Sequence, residues 1–373
     1  MNGIRALVTG STGFSAPWVI KYLLELGYTV RATDLPSVSK ENIQEFIDKI
    51  EFIPSDLTKP ETLSNVVKDI DIVFHPAAIF SYSAPLKLLK KVNVEGTKNL
   101  IEQCIKHDVK KLILWSSIAV YGETNPKFYK IPIKECKVEE MNPKILGNYD
   151  RSKREQEEIA LKFWEENKFP ISVMRPAPLY GPNSYYGIYF LFKYIQDGLL
   201  ITAPSNLANW KASIPLIHVE DVARAAIHLS DLKIGNGEAY NIVDDNTLDL
   251  IDTIKFIANL TKTNFKPIPP LPIKMMYYLL KLMGAISTWE AKYLRQKING
   301  KPPVPHLESD LLGYVVGNFW FDNTKIKQTG FKFKYPDRRI GLIEVIDWYN
   351  KNGWEKKIAL KGSEQMIKEV IRK

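Results

Sequence analysis

Cysteine is scarce, with Cys104 and Cys136 the only two in 373 residues. A disulfide framework is thereby excluded, as is a thiolate zinc site, and a reducing, cytoplasmic setting is expected. The five histidines (His75, His107, His218, His228, His306) show no metal-ligand spacing, so no metal is expected. No apolar run is long enough to span a bilayer: the most apolar late segment, Leu271 to Ile286, is interrupted by Lys274 and Lys281. The N-terminus enters a strand at once, which leaves no room for a signal peptide. Internal repeats and low-complexity tracts are missing as well. The excess of 51 Lys+Arg over 42 Asp+Glu gives +9, but the basic residues are scattered and acids interrupt them. Without a basic cluster, no nucleic-acid partner is expected.

The most informative stretch is Ile4 to Leu35. Ile4 to Thr9 is mainly apolar, as suits a strand covered on both faces, and Gly10-Ser11-Thr12-Gly13 breaks it. From Ala16 the apolar residues Val19, Ile20, Leu23, Leu24 and Leu26 fall at helical spacing until Gly27. A second strand, Tyr28 to Ala32, leads to Asp34. A tight glycine turn lets backbone N–H groups approach a pyrophosphate at the positive end of the next helix. An acid closing the second strand can bond the adenosine ribose. The spacing is G-x-x-G-x-x-A (Gly10, Gly13, Ala16), and with strand, helix and Asp34 all in place it favours a dinucleotide site over a plain βαβ connection.

Helical and strand patterns alternate as far as Pro176. Helices are expected over 41–50, 60–68, 86–107 (one or two) and 151–167, and strands over 51–53, 71–75, 111–115 and 171–174. That rhythm means an α/β fold with a doubly wound parallel sheet. Residues 178–214 read as a lid or small added lobe, and the chain returns to the main body at about 215–243. Helices and Pro-rich connections after Leu248 complete a smaller C-terminal substrate-binding lobe, ending in a charged helical tail from Trp354. The division is therefore 1–177 with 215–243 for the cofactor, against 178–214 and 244–373.

Tyr149 and Lys153, at i and i+4, share a helix face. An ammonium beside a phenol favours the phenolate and would lower a pKa that starts near ~10. Four Y-x-x-x-K pairs occur, the others being Tyr189/Lys193, Tyr277/Lys281 and Tyr293/Lys297. Only the first lies between a strand ending in Ser116-Ser117 and the strand leading into Arg175. Ser117 either bonds a substrate oxygen or caps the next turn, and Asp56 either serves a ligand or caps the helix near Pro60. His75 and His218 read as satisfied core or loop histidines.

With TGSTGF (9–14), SDL (55–57), HPAA (75–78), NVEGTKNL (93–100), WSSIAVYG (115–122), YDRSK (149–153), RPAPLYGP (175–182) and HVEDVARA (218–225), the chain resembles an extended short-chain dehydrogenase/reductase. This is the NAD-dependent epimerase/dehydratase superfamily, and the 3β-hydroxysteroid dehydrogenase and dihydroflavonol reductase branch is the nearest in character. The resemblance implies a Rossmann fold and NAD. Gly10, Gly13, Phe14 and Ser15 would lie along the pyrophosphate, Asp34 on the adenosine ribose, and Asp56 and Leu57 beside the adenine. Ala77, Ala78, Ile79 and Asn93 would line the cleft, with Pro176 and Ala177 at the nicotinamide. Ser117, Tyr149 and Lys153 would be the catalytic set, Lys153 also bonding the nicotinamide ribose. Ala16 stands where relatives usually have Gly. The implied activity is hydride transfer with a secondary alcohol or ketone. Nucleotide-sugar epimerisation or dehydration, and a non-catalytic NAD sensor, are the alternatives. An apolar substrate is favoured, because Arg is not found where sugar-nucleotide relatives carry it, at Ile214-Pro215 or within 307–320. Met275, Met276, Tyr277, Tyr278, Leu279, Leu280 and Met283 are expected either near the pocket or in a core helix. Lys211, Arg295 and Arg338 are the remaining cations for reaching a diphosphate from elsewhere, and the oligomeric state, a homodimer included, stays open.

Overall fold

The computed structural model describes residues 3–124, 127–203, 214–245, 248–269, 271–289 and 320–354. The described residues form nine strands: β1 (Arg5–Thr9), β2 (Thr29–Thr33), β3 (Glu51–Phe52), β4 (Ile72–His75), β5 (Lys111–Trp115), β6 (Ile171–Pro176), β7 (Leu179–Tyr180), β8 (Ile217–His218) and β9 (Glu238–Ile242). Seven of them form one parallel sheet in the order β3-β2-β1-β4-β5-β6-β9. The strands are short apolar runs because both faces are covered. Ala6, Val8, Phe74, Ile113 and Met174 point into one core with the helices Ala16–Glu25 and Val219–Leu229. Leu7, Val73, Leu112, Leu114 and Val173 point into the other, against the helix Gly96–Lys106. Ile217–His218 pairs with Leu179–Tyr180 in a separate two-stranded parallel sheet, while Ile217 and the helix Val219–Leu229 pack into the first core.

Local helix geometry departs from expectation in two places that matter. Residues 60–68 form a single 3₁₀ turn (Pro60–Thr62) followed by a short α-turn (Ser64–Val67). Residues 86–106 are continuous, but a π-turn over Lys90–Glu95 separates Leu86–Leu89 from Gly96–Lys106. Such a wide turn rotates a side chain out of the regular register, and here that side chain is Asn93. A third apolar cluster lies beyond the sheet. It joins the helices Tyr189–Gln196, Leu250–Leu260 and Arg338–Asn352 through Phe192, Ile254, Leu342 and Tyr349. Arg338, fully buried, ties this cluster to the sheet by its bidentate pair with Asp244 just after β9.

Candidate active site

The strand order reverses between β1 and β4, and ligands of open α/β sheets bind at the carboxyl ends beside such a point. Gly10 follows β1 with φ +57°, and a Cβ there would sit 2.7 Å from the Ala77 Cα after β4. A Cβ on Gly13 would meet the Gly10 carbonyl at 3.1 Å, while its N–H donates to that carbonyl at 2.9 Å. The helix Ala16–Glu25 starts here with no side-chain cap, so Ser15 leaves the first-turn N–H groups to a ligand. Ser11 Oγ is buried beside them without a hydrogen-bond partner. A backbone cradle, an uncapped helix start and an orphaned hydroxyl fit a dinucleotide pyrophosphate. Phe14 extends toward the two-stranded sheet, its Cζ 3.5 Å from the Cβ position of Gly181.

Asp34 closes β2 as expected. Its Oδ2 accepts from Thr12 N (3.0 Å) and Thr12 Oγ1 (2.7 Å), and its Oδ1 accepts from Leu35 N (2.8 Å). The carboxylate is thus fixed against the glycine turn with acceptor capacity remaining for ribose hydroxyls. Asp56 closes a turn rather than capping a helix, taking Thr58 N at 2.9 Å and Thr58 Oγ1 at 2.8 Å. Leu57 packs on Gly96, where a Cβ would come within 2.9 Å of its own. Asn93 is fully buried. Its amide brackets Ile79, accepting from the N–H (2.8 Å) and donating to the C=O (3.1 Å) and to Ser152 Oγ (3.1 Å). It therefore shapes the loop Ala77-Ala78-Ile79. Pro176 ends β6, and Ala177 N donates to Ile242 O at 3.0 Å.

Tyr149 occupies the first turn of the helix Asn148–Asn167, which begins three residues before the sequence pattern does. Ser117 fills one of its two expected roles: its Oγ accepts from Ala119 N at 3.1 Å, capping the turn Ile118–Tyr121. The expected depression of the phenol pKa is not found. Burial pushes it well above the ordinary tyrosine value, the Asp150 carboxylate adds to this, and only the neighbouring Ser117 side chain opposes. The physical reason lies in Lys153. Its Nζ donates to Trp115 O (2.5 Å) and to Gln156 Oε1, and burial lowers its pKa to about 7, which weakens its charge.

Behind Lys153 runs a continuous buried polar chain. Gln156 Nε2 donates to Thr97 Oγ1 (2.7 Å), Thr97 bonds His75 Nε2 (2.9 Å), and His75 Nδ1 bonds Thr9 Oγ1 (2.7 Å), one residue before Gly10. His75 is neutral, its pKa lowered to about 3 chiefly by burial, as befits a satisfied core histidine. His218 is buried too, with a pKa lowered to about 4, and its Nδ1 caps the helix Val219–Leu229. Glu157, one turn beyond Lys153, holds Arg175 in a fully buried ion pair that also takes in Ser116, Tyr121 and, through Tyr121, Asn241.

Residues 6–243 match the model of the NAD dependent epimerase/dehydratase family. The chain belongs to this family. It is 29% identical over 292 residues to a decarboxylating sterol-4-alpha-carboxylate 3-dehydrogenase of Mus musculus, covering 76% of this chain and 75% of that protein. It is 26% identical to UDP-glucose 4-epimerase of Vibrio cholerae, covering 87% and 88%. The structure superposes on a Thermus thermophilus UDP-glucose 4-epimerase solved with NAD at a TM-score of 0.64, with 20% identity, covering 94% of this chain and all of that one. The family is NAD-dependent, and that likeness carries the fold.

Beside Tyr149 stands an aromatic wall with no sequence signal. Phe80 meets the Tyr149 ring edge-on at 4.9 Å, Tyr82 meets it at 5.4 Å, and Tyr186 meets Phe80 at 5.3 Å. Phe80 remains 41% exposed. Of the other Y-x-x-x-K pairs, Tyr189 bonds the Trp354 carbonyl and Lys193 pairs with Asp197, far from this chemistry in role. Tyr293/Lys297, Lys211, Arg295, Pro302 to Pro305, residues 307–319 and the tail after Trp354 lie outside the described residues, as do the side chains of Met276, Tyr277 and Leu280. Arg338 is consumed by Asp244 and is not available to a diphosphate. Met275, Tyr278, Leu279 and Met283 are exposed and so do not belong to a core face of their helix.

Proposed function

We propose that the chain is an NAD-dependent oxidoreductase that transfers a hydride between nicotinamide and a largely apolar secondary alcohol or ketone. The observation that carries this reading is the buried Tyr149 phenol, with the Ser117 side chain beside it, against the edges of Phe80 and Tyr82. NAD, when bound, supplies or accepts the hydride. Residues 1–177 and 215–243 hold it, with Gly10, Gly13, Phe14 and Ser15 on the pyrophosphate, Asp34 on the ribose, Asp56 and Leu57 at the adenine, and Pro176 and Ala177 at the nicotinamide. Residues 178–214 and 244–373 complete the substrate side.

Tyr149 Oη gives its proton to the carbonyl oxygen in reduction and takes it back in oxidation. A phenol raised by burial holds that proton firmly at neutral pH, which suits the reductive direction. Ser117 Oγ holds the same oxygen. Lys153, with a pKa of about 7, places a positive charge one helical turn away as the phenol loses its proton. The wall of Phe80, Tyr82 and Tyr186 offers apolar edges rather than cations to the rest of the substrate, and the mouse relative is named for a sterol. The test is a panel with NAD(H) present, setting UDP-, GDP- and dTDP-sugars against hydrophobic secondary alcohols and ketones. Turnover of the latter is expected. Micromolar binding of a nucleotide sugar with indifference to the alcohols would move the assignment to epimerisation or dehydration.

A further inference from the structure

The helix Ile273–Trp289 turns the wrong face outward for a helix in water. Met275, Tyr278, Leu279, Leu282, Met283, Ile286 and Trp289 are each between 42% and 66% exposed. At 3.6 residues per turn these seven positions fall within an arc of about 140°. Gly284, at the middle of the opposite side, is buried. Beside the start of this segment, Lys266 N donates to Ile201 O and Ile268 N to Ala203 O, both at 3.0 Å. Ile201 and Ile268, both exposed, lie on the two segments so paired. An apolar stripe of this size on a protein surface marks an interaction site.

Charge identifies the occupant. Between Asp252 and Glu290 the chain carries five lysines and no carboxylate over 37 residues, and Lys262, Lys266 and Lys281 are exposed. Lys255 pairs with Asp252, and a second copy docked through the same face would set Lys262 and Lys266 against their own equivalents, with no carboxylate between 253 and 289 to offset them. Anionic lipid headgroups supply the missing charge, and an interfacial aromatic pair, Tyr278 and Trp289, suits the headgroup boundary. No described helix is long and apolar enough to cross a membrane, so this one would lie in the surface plane. We propose that the helix Ile273–Trp289 docks the protein on an anionic lipid surface, its seven-residue stripe entering the acyl boundary and the flanking lysines meeting the headgroups.

The test uses the full chain and flotation with phosphatidylcholine vesicles, with and without phosphatidylglycerol. The wild type is expected to float with the anionic vesicles, and high salt should weaken this. Leu282→Glu combined with Ile286→Glu should reduce binding at least about tenfold while NAD affinity and Tm hold, since both side chains are exposed. With brominated lipid, Trp fluorescence should be quenched, and Trp289→Phe should remove much of that quenching. Failure of the wild type to float, or equal flotation of the double variant, would overturn the proposal. So would a double variant that only converts a dimer to a monomer in ultracentrifugation, which would make the stripe a self-association face.

Discussion

At the Gly10 end of the cleft recognition depends on atoms that are missing, and at the Tyr149 end it depends on side chains that are buried. The first end is backbone: a left-handed glycine whose Cβ would clash with the Ala77 Cα at 2.7 Å, a second glycine folded on its carbonyl, and an uncapped helix start. The second is built of a phenol, a hydroxyl and an ammonium whose pKa values burial has moved in opposite directions. One buried chain, Lys153–Gln156–Thr97–His75–Thr9, joins the two. Holding the cofactor and moving the proton should therefore be separable by substitution.

The largest separation on the binding side comes from Gly10→Val. A positive φ and the Ala77 backbone both resist a side chain there, and together they should weaken NAD binding by about 10²–10³-fold in a calorimetric titration. Unchanged affinity would mean that the cradle lies elsewhere. On the chemical side, Lys153→Met should lower kcat by roughly 10- to 100-fold. It should also raise Tm. A lysine whose folded pKa is about 7, below its ordinary 10.5, opposes folding fully below pH 7, and the penalty disappears as pH approaches 10.5. The gain in Tm should accordingly be greatest at pH 6 and fade by pH 10; a loss of Tm at pH 6 would show the ammonium to be structural.

The glycine end was legible because a backbone turn has a residue signature. Gly10, Gly13, Ala16 and Asp34 appear in the sequence at the spacing the geometry needs, and the apolar runs of β1, β4, β5 and β6 reveal the parallel sheet. The Tyr149 end was less so. Spacing finds the pair Tyr149/Lys153, but the sign of the phenol shift depends on depth of burial and on where the Lys153 ammonium points, neither of which periodicity records. Asn93 is placed by a π-turn that a 3.6-residue pattern misses. Phe80, Tyr82 and Tyr186 come from two loops far apart in sequence. In the helix 273–289 the apolar spacing was visible, but whether the stripe faces core or solvent was not.

Two smaller effects sharpen the same contrast. Asp34, with Leu35-Pro36-Ser37 following and no Arg among them, should make NADP bind about tenfold more weakly than NAD, and comparable affinities would contradict the ribose assignment. Phe80→Ala removes an exposed ring from the wall without touching the cradle. KM for an apolar ketone should rise by a factor of about 3–10, the scale of one lost aromatic contact, with NAD affinity unchanged. No change in KM would place the substrate away from this wall.

The central claim is that Tyr149 moves the proton and does little to hold the cofactor. Tyr149→Phe keeps the ring against Phe80 and Tyr82 and removes only the hydroxyl beside Ser117. The measurement is single-turnover ketone reduction by the variant, paired with its NAD dissociation constant. The account predicts a rate lower by about 10²–10⁴-fold with a dissociation constant within about twofold of wild type. A variant that keeps most of its rate, or that loses NAD instead, would contradict it.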